Sequence, residues 1–479
     1  MAPGAVWLGA FGCIGTGGHA TAPAPNTAWT PPESEREAAR AAQSLPAATP
    51  PPDLAARLAS LQLADVLDLA LRNNTATAAA WQDARAAAQE YAVARGANFP
   101  TLSLDGNFTV LKTAPTQGRQ AVRQSIYGPQ LNLTWLLLDL GGRSGATNAA
   151  HAQMLAADWT HNAVLQSVVL TVEQAFFSYV GTRALLAAQQ ASLAEADTNL
   201  QAAVERHDVG VATIAEVLQA RTARSQALLN VESTQGALQT ARGALAVSMG
   251  YPANIPYDID SLPFETKVSA LAESVDSLIT RAITNRPDLA AARADVDAAR
   301  ARVSSARGAA LPSLLLTGVF GETYLANQPA VPGSSYTLNF GIQVPLFAGG
   351  SHLAEIRSAE AQAEAARSRE SGFLQQVIYQ VFTSYYTFQT AAQSARTADD
   401  LLASARQSEQ VALGRYKAGA GSLIDLLTAQ AALSQARAQQ INAHFSWFIA
   451  LAQLAHDVGV LGLDGSAPIR LQPDSSGAH

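Results

Sequence analysis

The chain has 479 residues, 48% of them hydrophobic and 14% charged, with a formal charge of −7. That length and apolar content can bury a large core, which excludes global disorder, and without a Lys/Arg-rich run there is no electrostatic footprint for nucleic acid. Alanine dominates the hydrophobic share, which suits long, closely packed helices. No run of eighteen apolar residues occurs, which argues against a transmembrane α-helix, so any membrane crossing has to be made by strands.

Residues 1–57 form a leader-like segment and a tail. Cys13 is the single cysteine and can form no intramolecular disulfide. It follows the apolar run from Ala5 to Gly12, which reads as the end of a secretory segment followed by a lipidation box, although Ala10 stands where leucine is usual and no Lys or Arg precedes Arg36. Acylation of Cys13 and an incidental cysteine are the two readings. From residue 20 to 57 the chain is rich in Ala and Pro, including Pro23, Pro25, Pro31, Pro32, Pro46 and Pro50 to Pro52, and should be extended rather than helical.

Everything after the tail occurs twice. The stretch Ala94-Arg-Gly-Ala-Asn-Phe-Pro-Thr-Leu102 recurs as Ala306-Arg-Gly-Ala-Ala-Leu-Pro-Ser-Leu314, an offset of 212 that also pairs Asn73 with Asn285. Further on, residues 206–218 match 415–427 at an offset of 209. The three-residue difference belongs in the polar stretch after Val110. Two repeats are therefore expected, 58–262 and 263–463, with a short tail over 464–479.

Within each repeat the elements follow one order. Residues 63–98 and 269–310 have helical spacing. After each come alternating segments: Leu102, Leu104, Phe108 and Val110 against Ser103, Asp105, Asn107 and Thr109, then Tyr127, Leu131, Leu133 and Trp135 against Gln130, Asn132 and Thr134. The second repeat gives Leu314, Leu316 and Phe320, with Leu315 and Val319 weakening the polar face, then Tyr336, Leu338, Phe340, Ile342 and Val344 against Thr337, Asn339 and Gln343. Period-two alternation predicts strands. Long helices are expected from about 144 to 208 and 351 to 417, each roughly 100 Å long at 1.5 Å per residue, followed by return helices near 213–249 and 422–458.

Any one of these strands could belong to a half-buried soluble sheet. Four of about ten residues, apolar on one face and polar on the other, match outer-membrane strands better. Four cannot close a barrel, so several chains would have to share one.

The duplicated unit of helix, hairpin, very long helix and return helix resembles the TolC family of outer-membrane efflux proteins over roughly residues 60–460. Details that carry the likeness are Asn285-Arg-Pro-Asp-Leu289, Val344-Pro-Leu-Phe-Ala-Gly-Gly350, its counterpart Trp135-Leu-Leu-Leu-Asp-Leu-Gly-Gly-Arg143, and the glycine turns at Gly210 and Gly419, each followed six residues on by an acid. The resemblance implies a mainly α protein with a membrane β part: a homotrimer whose twelve-stranded barrel continues as a periplasmic helical tube. It also implies outer-membrane lipid around the barrel and work with a periplasmic adaptor and an inner-membrane pump of RND or ABC type, with no cofactor and no catalytic site.

By the same resemblance the narrow entrance falls on Glu216, Tyr416 and Asp425. Where family members often carry an Arg and a second Asp, this chain has Gly421 and Thr428, so the closed gate is expected to be less tightly latched or to be latched by other groups. A plain structural reading stands beside this: Thr213-Ile-Ala-Glu216 and Ser422-Leu-Ile-Asp425 are capping boxes, which explain both acids without a pore. The eight histidines, among them His151, His161 and His207, lack ligand spacing, and no nucleophile elbow or P-loop is present. A periplasmic adaptor and a helical scaffold are the rival readings; the first lacks two helix–strand–strand–helix copies, and the second has no use for the strands.

Overall fold

Helix α1 (Leu63–Asn73) and helix α2 (Thr75–Gly96) are separated by one extended residue, Asn74, whose side chain accepts the Ala76 N–H at 2.8 Å and so starts the second helix. The sequence pattern predicts one helix here, and likewise over 269–310, where α5 (Val275–Asn285) and α6 (Pro287–Ala309) are found. In the second repeat the break follows from Pro287, which disfavours helical geometry at the preceding Arg286 (φ −69°, ψ 119°) and begins α6 at its first position. A computed structural model describes residues 61–112, 123–259, 268–269, 271–326 and 333–461; Cys13 and both tails lie outside the described residues.

Strands β1 (Thr101–Lys112), β2 (Arg123–Leu138), β3 (Ser313–Leu325) and β4 (Gly333–Gln343) form one antiparallel sheet in the order β1-β2-β3-β4. The two hairpins share one register: Leu104 faces Leu131 in the first, and the equivalent Leu316 faces Phe340 in the second. The pairing of β2 with β3 joins the repeats, and among the described residues β1 and β4 have no strand beside them on their outer edges. Their apolar side chains stand exposed, with Leu104 at 73%, Phe108 at 68% and Ile342 at 74%. On the other face Asn132 donates to the Asp105 carboxylate.

The long helices are α3 (Gly142–Asp208) and α7 (Ser351–Lys417), 67 residues each, and the return helices are α4 (Ile214–Ser248) and α8 (Leu423–Asp457). An eighteen-residue window of α3 is in fact apolar and long enough to cross a membrane, contrary to the expectation from runs of apolar residues. Of that window 44% is buried. Its side chains Val168, Val172 and Phe176 pack with Leu245, Met249 and Ile255, so its apolarity serves packing. The equivalent positions Val377 and Val381 pack with Leu454 and Val458 in the second repeat.

Going down α3 from the sheet, its partner from the second repeat is first α6 and then α8. These two helices meet end to end. The buried Arg286 guanidinium clasps Asp288 at 3.0 and 2.5 Å, donates to Gln380 at 2.8 Å, and reaches the Asp457 carbonyl at the end of α8 at 3.3 Å. In the first repeat Asn74 does the same for α2 and α4 by donating to the Ser248 carbonyl at 3.1 Å. Each repeat thus supplies one continuous and one jointed helical column beneath its hairpin.

Candidate channel entrance

At the end of α3 and of α7 furthest from the sheet, the chain reverses through two turns of one design. Gly210 (φ 79°) and Gly419 (φ 70°) take the left-handed conformation that ends a helix at little cost. The N–H of Val211 returns to the Arg206 carbonyl at 2.9 Å and that of Gly210 to His207 at 2.8 Å; Ala420 to Arg415 at 2.9 Å and Gly419 to Tyr416 at 3.1 Å repeat the pattern. Orphaned carbonyls at both helix ends are satisfied this way.

Both capping boxes are present. Thr213 Oγ1 accepts the Glu216 N–H and a Glu216 carboxylate oxygen accepts the Thr213 N–H, each at 3.4 Å; for Ser422 and Asp425 both distances are 3.2 Å. The hydrogen bonds from the Ser422 side chain and then its backbone hold the Asp425 carboxyl below the usual carboxylate range, with Arg415 adding in the same direction. Asp425 is therefore an exposed, ionised group at neutral pH as well as a helix cap.

The two turns come together. Ala203, Val217 and Ala220 of the first repeat form one apolar cluster with Leu423 and Leu426 of the second, and Tyr416 packs against it. Arg206 places its guanidinium 5.0 Å from the Tyr416 ring centroid, a cation–π contact that ties the end of α3 to the end of α7. Sequence reasoning missed Arg206, because its repeat equivalent Arg415 has a different task, donating to Ala420 in its own turn at 3.3 Å. In the first turn that closing role falls to His207, whose Nδ1 lies 3.1 Å from the Ala212 carbonyl.

The residues at positions 421 and 428 have physical consequences of their own. A Cβ at Gly421 would stand 3.1 Å from Arg415 Cβ and 3.3 Å from the Tyr416 nitrogen, so a side chain there would press on the turn. Thr428 donates its hydroxyl to the Ile424 carbonyl at 2.8 Å and brings no charge. Among the described residues no three His, Cys, Asp or Glu side chains gather as metal ligands would.

An apolar-faced sheet set on a long helical stalk that ends in paired, capped turns defines a subunit of an outer-membrane duct. The chain belongs to the outer membrane efflux protein family, whose model matches residues 66–251 and 278–460, one segment in each repeat. It is similar to protein CyaE of Bordetella pertussis, 28% identical over 463 residues and covering 92% of each chain. Outer membrane protein OprJ of Pseudomonas aeruginosa is 26% identical, with 81% of this chain and 82% of the relative covered. Among solved structures, a membrane protein from Pseudomonas aeruginosa superposes with a TM-score of 0.75 at 25% identity, over 83% of this chain and 93% of that one. The protein is an outer-membrane efflux channel subunit with a large periplasmic part.

Proposed function

We propose that three copies of this chain close one twelve-stranded barrel and continue it as a helical tube. The tube is a passive exit duct for substrates handed over by a periplasmic adaptor and an inner-membrane pump of RND or ABC type. The observation that carries this reading is the sheet: among the described residues, four strands with an exposed apolar face and two unpaired edges. Open edges cannot sit in lipid, because each unpaired backbone group there would cost several kcal/mol. Four strands per chain make eight with two copies and twelve with three, and the family resemblance selects three. The chain has no P-loop, so the energy of transport comes from a partner.

At the far end, Asp425, Glu216 and Tyr416 form the entrance, and threefold symmetry turns Asp425 into a ring of three carboxylates. Such a ring favours cations, and at physiological salt, where the Debye length is about 8 Å, the preference is weakened but not abolished. The test is Asp425→Asn, which removes the charge while keeping much of the capping ability. The expected result is a folded oligomer with reduced cation selectivity in planar bilayers and weaker block by multivalent cations added from the periplasmic side. Wild-type selectivity and block in this variant would leave Asp425 as a helix cap only.

A further inference from the structure

We propose that Lys112 and Arg123 form a clamp on the lipid-facing side of the sheet that takes a phosphomonoester of an outer-leaflet lipid. The inference rests on the barrel proposed above, whose apolar face meets lipid, and adds a specific ligand on that face. In the register of β1 with β2, Phe108 stands opposite Tyr127, Val110 opposite Ser125 and Lys112 opposite Arg123. Directly opposed residues share a face, so both cations project on the side of Leu102, Leu104 and Phe108. The other charged residues of the sheet are Asp105, on the polar face, and Glu322 on β3.

Their level is that of the outer headgroups. The helices leave the sheet at its periplasmic end, whereas Lys112 ends β1 and Arg123 begins β2 at the opposite end. From Leu102 to Lys112 the strand runs about 33 Å, at roughly 3.3 Å per residue. With a tilt of about 40° it climbs about 25 Å, which is the height of the apolar band of an outer-membrane barrel. Aromatic rings mark the same boundary: Tyr324, the repeat equivalent of Lys112, stacks on Tyr127 with ring centroids 5.5 Å apart.

Like charges set opposite each other on neighbouring strands repel, and an anion seated between them relieves the repulsion. Among the described residues neither cation has a carboxylate partner. Glu322 is engaged elsewhere: its carboxylate accepts the Tyr324 hydroxyl at 2.7 Å, and it adjoins Gly321, the partner of Gln130, about 20 Å along β2 from Arg123. Opposed Cβ atoms lie about 5 Å apart. One phosphate can therefore take two parallel hydrogen bonds from the Arg123 guanidinium and a further one from the Lys112 ammonium. A phosphomonoester carries about two negative charges and matches the two cations, whereas a phosphodiester carries a single charge. The equivalent positions of the second hairpin are Tyr324 and Pro332, so the paired cations belong to the first hairpin alone.

The test is native mass spectrometry of the full-length protein, released from detergent after incubation with one lipid at a time. The lipids are diphosphorylated lipid A, the same glycolipid stripped of its phosphates, phosphatidylglycerol and phosphatidylcholine. Wild type is expected to retain diphosphorylated lipid A, and the double variant Lys112→Gln with Arg123→Gln to retain at least about tenfold less, from about fivefold per removed charge. The charge exchange Lys112→Arg with Arg123→Lys keeps both cations and should keep most of the retention, which separates loss of charge from a folding defect. Equal retention by wild type and the glutamine variant overturns the clamp, as does equal retention of lipid A with and without its phosphates, or none by wild type. Loss in the charge exchange as severe as in the glutamine variant overturns the role of charge. Phosphatidylglycerol held as firmly as lipid A overturns the choice of a phosphomonoester. The same spectra count the chains in each particle, so a folded monomer that still holds lipid A refutes the trimer and supports the clamp.

Discussion

Arg286→Met keeps most of the side-chain volume at the joint between α5 and α6 while deleting the guanidinium. That group is 4% exposed and makes four hydrogen bonds, two to Asp288 and one each to Gln380 and the carbonyl of Asp457. Removing one member of a fully buried pair costs about 3–5 kcal/mol, chiefly because the other charge is left uncompensated. Asp288 is 30% exposed, so water partly re-solvates its carboxylate and the expected loss falls to about 2–4 kcal/mol. Thermal and denaturant unfolding of the purified protein in detergent, followed by circular dichroism, measures it. Arg286→Lys should recover little, because a single ammonium cannot reproduce the fork that spans Asp288, Gln380 and the end of α8. Adding Asp288→Asn to Arg286→Met should cost less than it does alone, since the pair shares one interaction. A methionine variant within about 0.5 kcal/mol of the parent would refute the view that this residue joins the helical columns.

Gly308→Ala should destabilise by about 1–2 kcal/mol, because the clash with the α3 backbone outweighs the helix-propensity gain of about 1 kcal/mol; Gly372→Ala, with open space around it, should be neutral or stabilising in the same unfolding assay. Ser422→Ala removes the hydroxyl half of the entrance capping box and should cost about 1 kcal/mol, read the same way. Burial pushes the Glu173 carboxyl up to about 7. Its neutral form is therefore favoured by folding, and the stability it contributes is fully present below about pH 4.5 and is lost as pH rises through 7. After discounting for partial solvent access, Glu173→Gln should raise stability at pH 8 relative to pH 5 by about 1–2 kcal/mol more than in wild type; equal differences in the two proteins would contradict the burial.

Much of this architecture is legible in the sequence because it is periodic. Alternation over Leu102 to Val110 and Tyr336 to Val344, helical spacing through Val168, Val172 and Phe176, and the repeated turns at Gly210 and Gly419 each reflect a local rule that acts over a few residues. The capping boxes at Thr213 and Ser422 are local too, and both are in place. What escaped depends on partners far away in the chain. The break at Asn74 is fixed by its bond to Ser248, and Arg286 reads as part of a motif without showing that it reaches Gln380 and Asp457. Arg206 and Arg415 occupy equivalent positions, yet only Arg206 meets Tyr416, because the repeats are neighbours in space and not superposed. The apolar window of α3 was underrated for a related reason: counting unbroken apolar residues overlooks a helix whose polar positions are few and spread along it.

Sharing of one barrel among copies is tested most directly by the native mass of the detergent-solubilised protein, measured with the bound detergent accounted for. Three chains of 49.9 kDa in one particle that retains its strand signal is the expected result. A stable, folded monomer with the same strand content would contradict it, since the unpaired edges of β1 and β4 would then have no partner in the membrane.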